Sequence, residues 1–239
     1  MAKWPFGRNK KETPVESTES VSDAVDTQDT QQVEESDTAV VHDATEHGPF
    51  DGDSVDITTF DFSDFSLGVL NLGSLQIPLP KNSEVQVEMG AQGPKMLHIL
   101  TPFGRITPVA FAAPQSAGQW REATKEIAES MRNDGLTVHI DSGPWGREVI
   151  GSTDDGGGIV RIIGVDGPRW MLRMTVAAPI ATAEQMAQIA REVIARTFVY
   201  RGNEPILAGS PLPVTLPGPL AEQVRIEAEK RAQAEQNNQ

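Results

Sequence analysis

Apolar and polar residues change period several times along this chain, and each change marks an element. Glu84 to Met89 alternates strictly, as a half-buried strand does. Leu70 to Pro80 reads as an extended strand closed by Pro78 and Pro80, and Met96–Leu100 and Ile106–Ala113 as two more around Pro102-Phe-Gly-Arg105. Between Ser116 and Asp134 the period lengthens to that of a helix. Trp120, Thr124, Ile127 and Met131 share a face, Ser116 is placed to cap the start, and Gly135 stands where a terminating glycine belongs. Strands return at Thr137–Ile140, Arg147–Ser152, Ile159–Val165 and Trp170–Ala177. In the last, Trp170, Leu172, Met174 and Val176 share one face while Arg173 and Thr175 point the other way. A second helix is expected from about Ala183 to Tyr200, with Thr182 as its cap and Met186, Ile189, Ala190, Val193, Ile194 and Thr197 as its buried stripe.

Strands joined by short turns, with few helices between them, predict an α+β fold: an antiparallel sheet of about six to eight strands with two main helices packed on one side. The expected organisation is an acidic disordered tail over 1–47, a docking or semi-ordered segment over 48–68, a single domain over 69–217 and a polar helical or disordered arm over 218–239. The tail rests on charge. Glu12 to Asp64 holds 16 acidic residues and neither Lys nor Arg, whereas Lys81 to Arg201 holds 13 of each sign. The net charge of −14 therefore belongs almost wholly to the N-terminal segment, which lacks the apolar residues to offset its chain entropy. The Pro-rich run after Gly202 suits a segment wrapped over the domain.

A near-neutral domain argues against nucleic-acid binding, which needs clustered Lys and Arg. With no cysteine, the chain has no disulfide, thiolate nucleophile or Cys-ligated metal centre. No apolar run of roughly 7–15 residues follows the basic start and none of roughly 18–20 occurs anywhere, so a cytoplasmic protein is expected. Lys3, Trp4, Phe6, Arg8, Lys10 and Lys11 together make a basic–aromatic tip capable of weak contact with an anionic membrane surface.

No catalytic constellation, metal set or cofactor motif stands out. His98 and His139 sit singly on strands, and the Gly156–Gly158 run leads into a strand, not into a phosphate-binding helix. The most distinctive string is Ile163-Gly-Val-Asp-Gly-Pro-Arg-Trp-Met-Leu-Arg173. Its Asp166, Arg169 and Arg173, with Trp145 and Arg147 of the second Gly-Pro turn, are candidates for a polar recognition spot at one sheet end. Bracing of a turn by Asp166 and Arg169 accounts for the same residues. Thr27 and Thr30, flanked by acids, are candidates for phosphorylation. The functional expectation is a non-enzymatic adaptor or regulatory module whose partner is another protein; the alternative is a small-ligand or anion site near Asp166, Arg169 and Arg173.

Several strings recur in order: Gly48-Pro-Phe-Asp51, Leu72-Gly-Ser-Leu-Gln-Ile-Pro78, Phe111-Ala-Ala-Pro114 with Trp120, Gly143-Pro-Trp-Gly-Arg-Glu148, Ile163-Gly-Val-Asp-Gly-Pro-Arg-Trp170, Tyr200-Arg-Gly202 and Leu212-Pro-Val-Thr-Leu-Pro217. In this the chain resembles an actinobacterial domain-of-unknown-function family over about residues 48–217, a resemblance that brings no catalytic residues with it. The strand–helix order is also similar to the PsbP-like fold, which implies an antiparallel sheet with flanking helices.

Overall fold

Strand pairing follows the alternation. In the computed structural model, which describes residues 42–90, 93–116, 118–153 and 156–237, seven strands form one antiparallel sheet. They are β4 (Glu84–Gly90), β5 (Gly93–Thr101), β6 (Gly104–Ala112), β7 (Thr137–Gly143), β8 (Gly146–Ser152), β9 (Ile159–Gly167) and β10 (Trp170–Ala178), in the spatial order β4-β5-β6-β10-β9-β8-β7. Four shorter strands make a second sheet: β1 (Phe50–Asp51), β2 (Ser66–Asn71), β3 (Leu75–Pro80) and β11 (Phe198–Val199), ordered β1-β11-β3-β2, with β1 parallel to β11. The α+β class and the size of the main sheet agree with the sequence pattern. The basic–aromatic tip and Thr27 and Thr30 lie outside the described residues.

Helix placement departs from expectation. Helix α1 (Gln119–Asn133) buries Trp120, Thr124, Ala128 and Met131, which cluster with Val149, Ile162 and Met171. Helix α2 (Ala183–Ile194) buries Met186, Ala190, Val193 and Ile194 with Leu172, Met174 and, from β3, Leu75 and Ile77. Met171 and Leu172 are consecutive on β10, so they point to opposite faces. The two helices therefore cover opposite sides of the sheet instead of packing on one. The cause is that β10 is apolar in both parities over Trp170–Leu172, which requires cover on both faces.

Other boundaries moved for local reasons. Gly135 takes φ +85° and ends α1 as expected, but the N-cap is Gly118, not Ser116. Thr182 does precede α2, yet its hydroxyl donates to the Phe103 carbonyl at 2.8 Å instead of capping the helix. Packing begins ahead of the expected start near Val69: Ala44 is buried, the Asp51 N–H donates to its carbonyl, and Phe50 pairs with Phe198. The Pro-rich segment does wrap the domain. Leu212 donates to the Ala110 carbonyl beside β6, and Thr215 to that of Leu72, bridging the two sheets. Helix α3 (Gly218–Asn237) lies against β4.

Candidate functional site

The β7–β8 and β9–β10 turns stand at one end of the large sheet, and the five candidate residues divide sharply there. Asp166 closes β9, and its carboxylate accepts the backbone N–H groups of Gly118 at 3.1 Å and Trp120 at 3.0 Å. Gly118 has no side chain to cap its own helix, so the strand supplies the cap. Burial raises the Asp166 pKa above the ordinary carboxylate value, while the two N–H groups pull against it. Asp166→Ala should cost about 0.5–2 kcal/mol by the usual price of a lost cap. Asp166→Asn keeps the acceptor and should cost less. A raised folded-state pKa means that the carboxyl's contribution is present at low pH and fades as pH climbs from about 3.8 upward. Urea melts of wild type and Asp166→Asn should therefore shift in favour of Asn with rising pH; a gap moving the other way would refute this account.

Arg169 takes a left-handed conformation (φ +58°) in the two-residue turn, and its Nη2 donates to the Gly202 carbonyl at 3.1 Å. Gly202 in turn donates to Asp53, so Arg169 braces the segment after β11. Trp145 donates through Nε1 to the Gly48 carbonyl at 2.9 Å, fastening the β7–β8 turn to the start of the fold. The Arg147 carbonyl accepts Trp120 Nε1 at 2.8 Å. No ion pair joins Asp166 to Arg169 or Arg173 among the described residues.

Arg173 differs. It lies mid-strand on β10, opposite Val109 and Gly164, on the face that α1 covers chiefly over β7, β8 and β9. Gly164 lies beneath the Trp120 ring; a Cβ there would come within 2.1 Å of it. The Arg173 guanidinium sits 4.8 Å above the Phe111 ring. Its Nε is buried without a partner, and burial lowers its pKa from the ordinary arginine value. Among the described residues no hydrogen bond or ion pair reaches it. Beside it the same face carries Thr175, Thr107 and buried His98, whose Nδ1 lies 2.7 Å from Thr107 Oγ1 and whose Nε2 lies 3.4 Å from Glu88.

Sequence reasoning missed the role of Phe111 and a second charged cluster on the opposite face. There Glu148, 1% exposed, receives Arg191 Nε at 3.0 Å, Arg191 Nη2 at 2.8 Å and Arg161 Nη1 at 2.5 Å. The hydrogen bonds that Arg191 donates to Glu148 hold its pKa above the ordinary arginine value. The one signal available was Glu148 at a buried parity of β8, facing Ile163. Among the described residues no group of three or more His, Asp or Glu is arranged to hold a metal.

The molecule is thus an α+β protein of two largely antiparallel sheets, with Arg173 on a half-covered sheet face left without a hydrogen-bond or ion-pair partner among the described residues. Its chain belongs to the family described as protein of unknown function (DUF3710), whose model matches residues 48–223. It is similar to the solution structure of the cyanobacterial PsbP protein CyanoP from Synechocystis sp. PCC 6803: 8% identity, 56% of this chain, 95% of that one, TM-score 0.37. It is also similar to a crystal structure from Bacteroides thetaiotaomicron VPI-5482, at 14% identity over 56% of this chain and 47% of that one, TM-score 0.31. No curated protein matches the sequence. No helix among the described residues is long and apolar enough to cross a membrane.

Proposed function

We propose that this protein is a cytoplasmic protein-interaction module, adaptor or regulatory, whose folded domain takes an acidic side chain of its partner on Arg173. The supporting observation is the half-buried guanidinium over Phe111 with no anion among the described residues. A desolvated charge is costly until paired, and a partner's carboxylate would supply both the counter-charge and the missing acceptor. Arginine against an aromatic ring is also the side-chain chemistry on which binding energy concentrates in interfaces. The acidic N-terminal segment is a second interaction element, with Thr27 and Thr30 as its phosphorylation candidates.

A second reading has one point in its favour: a planar, unpaired guanidinium fits a small oxyanion as well as a protein carboxylate. One experiment separates them. Full-length wild type and Arg173→Ala are used as bait, and both are melted with and without phosphate and succinate. The protein partner should bind Arg173→Ala about 30-fold more weakly, the effect of losing a contact worth ~2 kcal/mol, while the melting temperature alone changes little. Stabilisation of wild type by the small anions, absent in Arg173→Ala, would favour the second reading. Unchanged partner capture by Arg173→Ala would sink the first.

A further inference from the structure

The fold treats the two outer strands of the large sheet differently. The β4 edge is lined by α3, with Leu220 and Val224 beside Val85 and Val87, and its pairing slips at Glu88–Met89. Cover and a register shift are the usual protections of a sheet edge. Among the described residues the β7 edge has neither: it runs in unbroken register with β8 from Thr137 to Gly143, and no described strand pairs the outer side of Val138–Ser142. It carries no Lys or Pro, and Ile140 on it is 41% exposed.

We propose that β7 is the contact through which two copies of this chain associate, antiparallel about a two-fold axis at Ile140, continuing the sheet from one protomer into the next. Which backbone groups are free follows from the turn. The tight turn after Gly143 makes Gly143 and Gly146 a hydrogen-bonded pair, so Asp141 and His139 also direct their N–H and C=O groups toward β8. Ser142, Ile140 and Val138 direct theirs outward. Pairing centred on Ile140 sets Ile140 against Ile140 and Val138 against Ser142, which uses every one of those outward groups.

The same register makes the charges complementary. His139 and Asp141 share the opposite face, 3.8 Å apart within one strand, and both are largely exposed. The two-fold places each His139 opposite the second copy's Asp141, so an imidazole, cationic when protonated, stands directly across the junction from a carboxylate twice. A slip by one or two residues removes this match and the fit at Ile140 together. The helices allow it. Helix α1 sits chiefly over β8, and the two β8 strands would be three strand spacings apart, about 14 Å. Packed helices need about 8–10 Å, so the paired α1 helices do not collide.

Sedimentation velocity of the full chain, across micromolar to hundred-micromolar concentrations, should show a monomer–dimer equilibrium. His139→Asp puts like charges opposite each other and should weaken the dimer at least tenfold, and Asp141→His should do the same. An equimolar mixture of these two variants restores both opposite-charge pairs and should return the dimer to within a few-fold of wild type. Ile140→Cys introduces the chain's sole cysteine, and mild oxidation should give a cross-linked dimer. A wild type that stays monomeric at the highest concentration overturns the proposal. So does a dimer that both single variants leave intact, or a mixture that does not recover.

Discussion

Glu148→Ala should lower stability by about 3–5 kcal/mol, the usual cost of removing one partner from a buried ion pair. Arg161 and Arg191, 13% and 19% exposed at their side chains, would lose the buried carboxylate that joins them and keep only the exposed Glu184, 3.9 and 3.7 Å away. Two guanidiniums on one buried acid form a staple between α2 and the β8–β9 hairpin, so the loss would fall on the helix that closes the larger core. A domain of this size loses roughly 2–4 °C of melting temperature per kcal/mol, so a fall of about 10 °C is expected in calorimetry. Glu148→Gln keeps shape and one acceptor but not the charge, and should lie between wild type and Ala. Replacing Glu148 and both arginines together by apolar residues should restore much of the loss, because the staple's gain is largely offset by desolvation. A Glu148→Ala protein within about 1 kcal/mol of wild type would show that water reaches the site.

Trp170→Ala is the second large effect. Trp170 has no exposed surface and is among the largest fully buried side chains. Truncating such a residue leaves a cavity costing about 3–5 kcal/mol. Its Nε1 also donates to buried Asp51 at 3.2 Å, which ties the central strand to the start of the fold. The damage should therefore spread to β1: amide exchange at Phe50, whose N–H donates to the Thr197 carbonyl, should quicken more than global instability explains. Trp170→Phe keeps most of the volume and should cost less in a denaturant melt while still speeding exchange at Phe50. Normal protection at Phe50 in both variants would count against the tie.

These two residues also show where sequence reading succeeds. Trp170 stood out as core because it falls in step with Leu172, Met174 and Val176. The larger strands were legible in the same way, and α1 could be read with its terminating Gly135. Helix α2 was read too long. Its apolar spacing continues through Thr197, but Phe198 and Val199 leave the helix to pair with β1 and β3. In the four-stranded sheet the Leu70–Pro80 pattern marks β3 without the turn that parts it from β2, while β1 and β11, two residues each, have no period to display. At the site, Arg173 was visible as a charge inside an apolar strand. Proximity in the chain pairs Asp166 with Arg169, three residues away, whereas in the fold it caps a helix 46 residues away from it in sequence.

What the sequence determined by itself was local: the α+β class, the buried stripe and end of α1, the large strands and the concentration of acid ahead of residue 65. These follow from periods of two and 3.6 residues and from composition, which involve only near neighbours. Tertiary structure alone decided which face each helix covers, that Asp166 and Arg169 are struts, that Glu148 staples two arginines, and that Arg173 has no hydrogen-bond or ion-pair partner among the described residues. Each depends on the order of strands in the sheet, which brings together residues far apart in the chain and is set by the joint burial of all the strands.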